Sequence, residues 1–399
     1  MIYILISEVN MTKQKNLTAG YALIQGFHWM GYAGLMGFAS VYLLDNGFSN
    51  TQIGGVIAIA GVVSAILQPI LAGYADRQKS PSLKHILKSL TILMLAAALL
   101  VYFFYGKNRL VVGVFYAGCI TILQLMTPLV NALGMQSINQ GKRLAFGPAR
   151  SVGSATYAIA SYVLGIVVAK ESTTAIPLAL IAMLLGFYFA LIAFPFEKVG
   201  LSGAEELEEK TKTNFFLKYK RFRFVLLGWI LLYTGHTVFN SFVFQIVTSK
   251  GGGSEHMGTV MAICALVELP TLFVFGKMLK LARVDVWFRL CTVFFTLKSL
   301  MTLLVGSIPA LYAVQFLQLL GWALIVVASV YYVNGIMEKT DAIKGQAYFT
   351  MTYTLGSVIG ALVGGMFIDW RGVNAMLIFA TAVSAVGMLI VFLATEKTK

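Results

Sequence analysis

Ala265-Leu266-Val267-Glu268-Leu269-Pro270 lies at the centre of an apolar segment covering residues 256–280. A segment of roughly 25 residues is long enough to cross a hydrocarbon layer about 30 Å thick. Glu268 is the acidic residue set deep inside such a segment. A carboxylate there costs roughly 2.5–3.5 kcal/mol on insertion scales, so it is expected to face protein or a wet cavity rather than lipid. Pro270 cannot donate to the carbonyl of Leu266, which lets the helix bend beside the charge. Two bases, Arg150 and Lys298, are embedded in other apolar segments. One acid and two bases in an otherwise apolar chain point to a translocation pathway.

The composition fits that reading. Of 399 residues, 58% are hydrophobic and 12% charged, with mean hydropathy +0.81. Soluble domains carry about 25% charged residues, so the chain is read as a membrane protein. Apolar runs predict twelve spans, near 17–44, 51–75, 84–105, 109–136, 146–169, 173–196, 223–248, 256–280, 286–306, 309–335, 345–368 and 373–395. The expected fold is therefore an all-α membrane protein with twelve transmembrane helices in two six-helix halves, 17–196 and 223–395. A cytoplasmic segment 1–16, a cytoplasmic central loop 197–222 and a tail 396–399 complete the chain.

The formal net charge of +14 is explained by orientation. When loops are assigned alternately to two sides, one side collects about 23 of the 30 Lys and Arg, which the positive-inside rule makes cytoplasmic. Both termini are then cytoplasmic, as in a multi-pass protein of a bacterial-type inner membrane. The basic residues serve orientation and lipid contact, and no nucleic-acid partner is expected. Residues 1–10 are too short for a span and lack a signal pattern; Met11 is an alternative start. Cys119, Cys264 and Cys291 show no metal-ligand spacing and read as small apolar side chains. No metal site, cofactor, nucleophile–base pair or phosphate-cradling loop is expected, and an enzyme is not.

The polar residues of the spans form a candidate solute and proton path. His28 in span one is either a helix–helix hydrogen bonder or a proton carrier. Span four contributes Asn131 and span five Tyr157, seven residues past Arg150 and on its face. Span seven carries His236 and Asn240, and span ten Gln315 and Gln318 at three-residue spacing, hence on related faces. The central loop joins an acidic run, Glu205 to Glu209, to a basic, aromatic stretch from Asn214 to Arg223, which reads as a surface helix on anionic lipid.

Span two ends in Leu67-Gln68-Pro69-Ile70-Leu71-Ala72-Gly73-Tyr74-Ala75-Asp76-Arg77, followed by Lys79 and Lys84. Gly73, Asp76 and Arg77 resemble the cytoplasmic loop signature of the major facilitator superfamily, and Gln68-Pro69 resembles its lactose permease branch. The resemblance implies that Gly73 permits helix contact. It also implies that Asp76 binds a helix N-terminus in the other half and so closes the cytoplasmic side, in keeping with the positive end of a helix dipole.

The run Phe146-Gly147-Pro148-Ala149-Arg150 resembles the permease segment whose arginine holds sugar, and Val267-Glu268-Leu269-Pro270 resembles the run whose glutamate binds sugar and arginine. The glycines of span eleven, Gly356, Gly360, Gly364 and Gly365, resemble those of the nucleoside and phenylpropionate branches. Several permease charges are replaced here. Its sugar-binding glutamate aligns with Asn131. Its two interhelical ion pairs fall at Thr237, Asn240, Thr352 and Gln315, all neutral, and losing both members of a pair strands no charge. Its lysine, histidine and proton-carrying glutamate are absent from span ten.

The resemblance implies a secondary active transporter working as a monomer by alternating access. The expected substrate is a sugar or nucleoside type of solute, with protons as the coupling ion. An organic or aromatic acid:proton symporter and a drug or metabolite efflux carrier are the alternatives.

Overall fold

In the computed structural model, residues 16–75, 77, 80–196 and 215–398 are described. Asp76, Lys79, Met11 and the acidic run at 205–209 lie outside them. Among the described residues, nine helices are long and apolar enough to cross a membrane. The last of these, Lys344–Ala394, holds two passes, because the helical run Lys339–Ala394 reverses at Gly372, where φ is +81°. Two further passes escape that count. Pass 1 is interrupted, as Thr18–Tyr32, a π-helical turn at Ala33–Gly37, and Ala39–Asp45. Pass 8, Ser254–Met278, carries Glu268 and Pro270.

Twelve passes result, and the protein is an all-α, multi-pass membrane protein with two six-helix halves. Passes 2 to 6 are Asn50–Ala75, Leu83–Phe103, Arg109–Asn139, Phe146–Lys170 and Ala175–Ala193. Pass 7 is Phe222–Ser241 continued by Val243–Thr248, and pass 9 is Val284–Leu304. Pass 10 is Ile308–Val314, a 3-10 segment Gln315–Leu319, and Trp322–Ile336; pass 11 covers 339–371 and pass 12 covers 373–394. An even number of passes puts both chain ends on one face, called here the termini face; the other is the distal face.

The halves repeat a cap. At the termini face, the Lys84 ammonium at the start of pass 3 donates to the carbonyls of Ile192 (3.1 Å) and Phe194 (2.8 Å) at the end of pass 6. Arg289 on pass 9 donates to the Thr395 carbonyl at the end of pass 12 (2.6 Å). In each case a cation meets the negative, unsatisfied end of a helix. One internal proline is compensated by a side chain of a neighbouring pass. Pro128 frees the carbonyl of Gln124, which accepts from the Gln68 amide on pass 2 at 3.3 Å.

The stretch entering pass 7 differs from the expected lipid-facing helix. Phe215–Lys218 is a single turn, and Phe215 is buried against Tyr219, Phe222 and Tyr348. Lys218 pairs with Glu338 (2.8 Å) and Asp341 (2.7 Å) at the start of pass 11. Aromatic rings on one side and carboxylates on the other fix this turn to the C-terminal half.

Passes 2 and 11, and passes 5 and 8, join the halves. The backbones touch at the distal ends. A Cβ on Gly54 would lie 2.9 Å from the carbonyl carbon of Ala361, and one on Gly165 would lie 2.6 Å from the Ser254 carbonyl oxygen and 3.0 Å from Gly258 Cα. At the opposite ends of three of these helices, the Cβ positions of Gly73, Gly147 and Gly276 meet nothing within 4 Å among the described residues. The halves therefore close on the distal face and part toward the termini face.

Candidate solute pathway

The charge in pass 8 is held by an amide. The Lys298 ammonium donates to Gln318 Oε1 at 2.5 Å, and Gln318 Nε2 donates to Glu268 Oε1 at 3.1 Å. One side chain thus satisfies a cation with its oxygen and a carboxylate with its nitrogen. Among the described residues no ion pair joins Glu268 to either base, so the direct contact suggested by sequence is replaced by a bridge. The 3-10 segment makes this possible. With three residues per turn, side chains at i and i+3 eclipse, so Gln315 and Gln318 point the same way. Both are buried. Gln315 Oε1 accepts from the Cys264 thiol at 3.2 Å, while its Nε2 donates to the Leu311 carbonyl at 2.7 Å.

Lys298 has three donors. Beyond Gln318 it approaches Cys264 Sγ at 3.7 Å and stands over the Phe239 ring at 4.4 Å. Beside it is a cavity of about 20 Å³ lined by His236, Ser299, Thr302 and Trp322. On this measure a water needs about 10–15 Å³, so the space suits one water rather than a solute. His236 stacks on Trp322 (centroids 4.6 Å apart, planes 7°) and accepts from the Asn240 amide at 2.9 Å, which puts its proton on Nδ1.

In the N-terminal half Arg150 lies over the Trp29 ring at 4.1 Å, with Ser154 Oγ 3.5 Å from its Nη1. The indole is itself anchored. Trp29 Nε1 donates to Gln25 Oε1 (3.1 Å), and Gln25 Nε2 donates to Asn131 Oδ1 (3.2 Å) and to the Tyr21 hydroxyl (2.7 Å). A Cβ on Gly153 would come 3.1 Å from Trp29 Cγ, so the glycine on pass 5 makes room for the ring that carries the arginine. Asn131, read as a solute ligand, is in this structure the acceptor that orients Gln25.

The two clusters face each other across the interior. Passes 5 and 8 touch at Ala158, Ala262 and Ala265, with Tyr157 packed against them. Arg150 and Glu268 lie farther toward the termini face, and Arg150 and Lys298 are the cations near enough to act on Glu268 through space. Tyr32, Tyr157 and Tyr353 neighbour one another, with Trp29 against Tyr32 (5.1 Å) and Trp322 against Tyr353 (5.4 Å). Aromatic faces and two opposed, half-buried charges therefore line the space between the halves.

His28 does not join this set. Thr127 gives its hydroxyl proton to the Leu123 carbonyl (3.1 Å), so it accepts from His28 Nε2 at 3.1 Å. The ring is buried and also packs on Phe187. His28 thus makes a hydrogen bond between passes 1 and 4. Of the loop signature, Gly73 and Arg77 are described, and Asp76 lies outside the described residues. Cys264 differs from the apolar reading: it sits between Lys298 and Gln315, a placement that one residue in an apolar run gives no means of seeing. Trp322 and Phe239, which wall the lysine, also look in sequence like ordinary core.

No curated protein matches the sequence. A family model described as the MFS_1 like family matches residues 22–380. Among solved structures, the chain is similar to a point variant of the nucleoside transporter NupG, with TM-score 0.78 and 14% identity over 95% of this chain and 99% of that one. It is similar to NupG itself with TM-score 0.75 and 13% identity over 95% and 98%. An auto-inhibited POT family peptide transporter aligns with TM-score 0.69 and 9% identity over 94% and 96%. At these identities the likeness establishes the fold.

Proposed function

The chain belongs to the MFS_1 like family, and on that premise we propose that it is a proton-coupled symporter of a small neutral polyhydroxy or nucleoside-type solute. The family match and the structural likeness support a secondary transporter of the major facilitator fold. The solute class and the proton coupling rest on a single observation: Glu268 stands in an aromatic-walled space with one oxygen bound by Gln318 and, among the described residues, no cation in direct contact. Tyrosine and tryptophan faces suit a flat or ring-shaped solute, and the amide and carboxylate suit its hydroxyls. NupG, which the chain resembles in fold, is a nucleoside transporter, in keeping with this reading.

In the proposed cycle, solute enters from the face that is open, engages Arg150 and Glu268 from opposite halves, and draws the halves together over itself. Glu268 takes up a proton when the solute occupies its neighbours, so the acid crosses neutral. Domain bounds of 17–196 and 223–395, both termini cytoplasmic and a monomer as the working unit belong to the same proposal; the distribution of basic loops supports the orientation of the termini. The test is proton uptake into vesicles on adding sugars, nucleosides or aromatic acids singly. An alkaline shift with one class, absent in Glu268→Gln, is expected; solute-driven proton uptake that survives Glu268→Gln refutes the role of the carboxylate.

A second reading, symport of an organic acid, is favoured by one feature. Among the described residues the Arg150 guanidinium pairs with no carboxylate, and an arginine fork matches a carboxylate in geometry. An alkaline shift with aromatic acids but not with nucleosides would select it.

A further inference from the structure

Pass 2 begins with its own cap. The Ser49 backbone N–H donates to Gln52 Oε1 (3.0 Å), and Ser49 Oγ accepts from the Gln52 N–H (3.3 Å), a capping box. That box leaves the N–H groups of Asn50 and Thr51 without a partner inside the helix. Both are taken by the other half of the molecule. Asp369, at the distal end of pass 11, accepts from the Asn50 N–H (3.1 Å) and the Asn50 side-chain amide (2.9 Å) with Oδ1, and from the Thr51 N–H (2.7 Å) with Oδ2. Gln245 on pass 7 then donates to Asn50 Oδ1 at 2.8 Å, holding that side chain in place.

The backbone is shaped around this contact. A Cβ on Gly365, one turn before Asp369, would lie 2.7 Å from the Asn50 carbonyl carbon and 3.0 Å from Thr51 N. Three residues after Asp369 the chain turns back at Gly372 with φ +81°. A carboxylate at a helix N-terminus gains both the charge-assisted bonds and the dipole. Those gains exist only while the distal ends of passes 2 and 11 are together, so they act on the equilibrium between closed and open distal faces.

We propose that Asp369 is a latch: its carboxylate caps pass 2 across the two halves, holds the distal face shut, and must release Asn50 and Thr51 before that face opens. The latch is independent of which solute is carried. It is the reverse of the contact implied for Asp76, in which an acid at the other end of pass 2 meets a helix N-terminus of the opposite half at the termini face. The latch itself rests on Asp369 alone.

The test reads opening directly. Val358 lies on pass 11 about 11 residues inward of Asp369, with its Cγ2 3.3 Å from the Cβ position of Gly61 on pass 2, which at about 1.5 Å per residue puts it well below the distal surface. Val358→Cys is made in a background with Cys119, Cys264 and Cys291 replaced by Ala, and labelled with a membrane-impermeant maleimide from the distal side of oriented vesicles. Asp369→Ala and Asn50→Pro are compared with the parent. Proline suits the first helical position, so Asn50→Pro removes two of the three bonds while keeping the helix start. Labelling is expected to rise about tenfold in both, equivalent to about 1.4 kcal/mol in the opening equilibrium, with a matching fall in labelling from the termini side. Unchanged labelling in Asn50→Pro, with thermal stability retained, overturns the latch even if Asp369→Ala fails to fold.

Discussion

Replacing Gln318 with Leu removes the amide that serves Lys298 and Glu268 together, while nearly conserving volume. Two hydrogen bonds to charged groups are lost, one of 2.5 Å and one of 3.1 Å, each worth about 1.5–3 kcal/mol. The buried ammonium keeps only a thiol at 3.7 Å and the Phe239 face. A loss of about 3–6 kcal/mol is the upper range, reduced where the adjoining cavity admits a water to the ammonium. Lys298→Met alone removes the cation and leaves Gln318 Oε1 unpaired, for about 1–3 kcal/mol. The Lys298–Gln318 bond is counted in both single variants. In the double variant no orphaned cation remains, so its loss is expected to fall short of the sum by about 1.5–3 kcal/mol. The assay is reversible SDS-titrated unfolding in mixed micelles of the parent, the two single variants and the double variant. Losses that add to within about 0.5 kcal/mol would mean that the amide does not couple the two charges, and the bridge would be discarded.

Other outcomes follow from the same geometry. Trp29→Leu removes the ring beneath Arg150 and is expected to cost about 0.5–2 kcal/mol of stability, with solute affinity weakened more than by His28→Asn; equal effects on binding would remove Arg150 from the pathway. Gly258→Val puts side-chain atoms where the backbone of Ser161 and Gly165 now stands. It is expected to hold the distal ends of passes 5 and 8 apart and to slow counterflow at least tenfold, about 1.4 kcal/mol or more of strain; unimpaired counterflow would contradict the packing. Hydrogen bonding from Lys218, aided by Tyr219, holds the Asp341 carboxyl below its usual range. A depressed carboxylate adds stability above its ordinary pKa, near 3.9, that is lost as pH falls through the folded value. Protease sensitivity at Phe215–Lys218 is therefore expected to be flat from pH 8 to about 5 and to rise only below about pH 4; a rise near pH 6 would assign the clamp to another group.

The membrane class, the twelve passes and the embedding of Glu268, Arg150 and Lys298 in apolar segments are legible in the sequence, because hydrocarbon makes each of them a local energetic statement. An apolar run of about 20 residues has few other stable forms, and a charge inside it needs a partner wherever the helix sits. Which partner it takes is not local. Gln318 reaches Glu268 because a 3-10 turn rotates the middle of pass 10, and that turn is one of several backbones an apolar glutamine-bearing segment can adopt. Trp29 beneath Arg150 depends on a glycine of pass 5 facing it, and the tautomer of His28 depends on a threonine 99 residues away. Asp369 reads as an ordinary loop acid until passes 2 and 11 are brought together 318 residues apart in sequence, where its oxygens meet the two backbone donors that the capping box of pass 2 leaves open. Hydrophobicity acts on each segment alone and so is written along the chain; hydrogen bonds between halves need two distant surfaces at once, and only the tertiary structure supplies them.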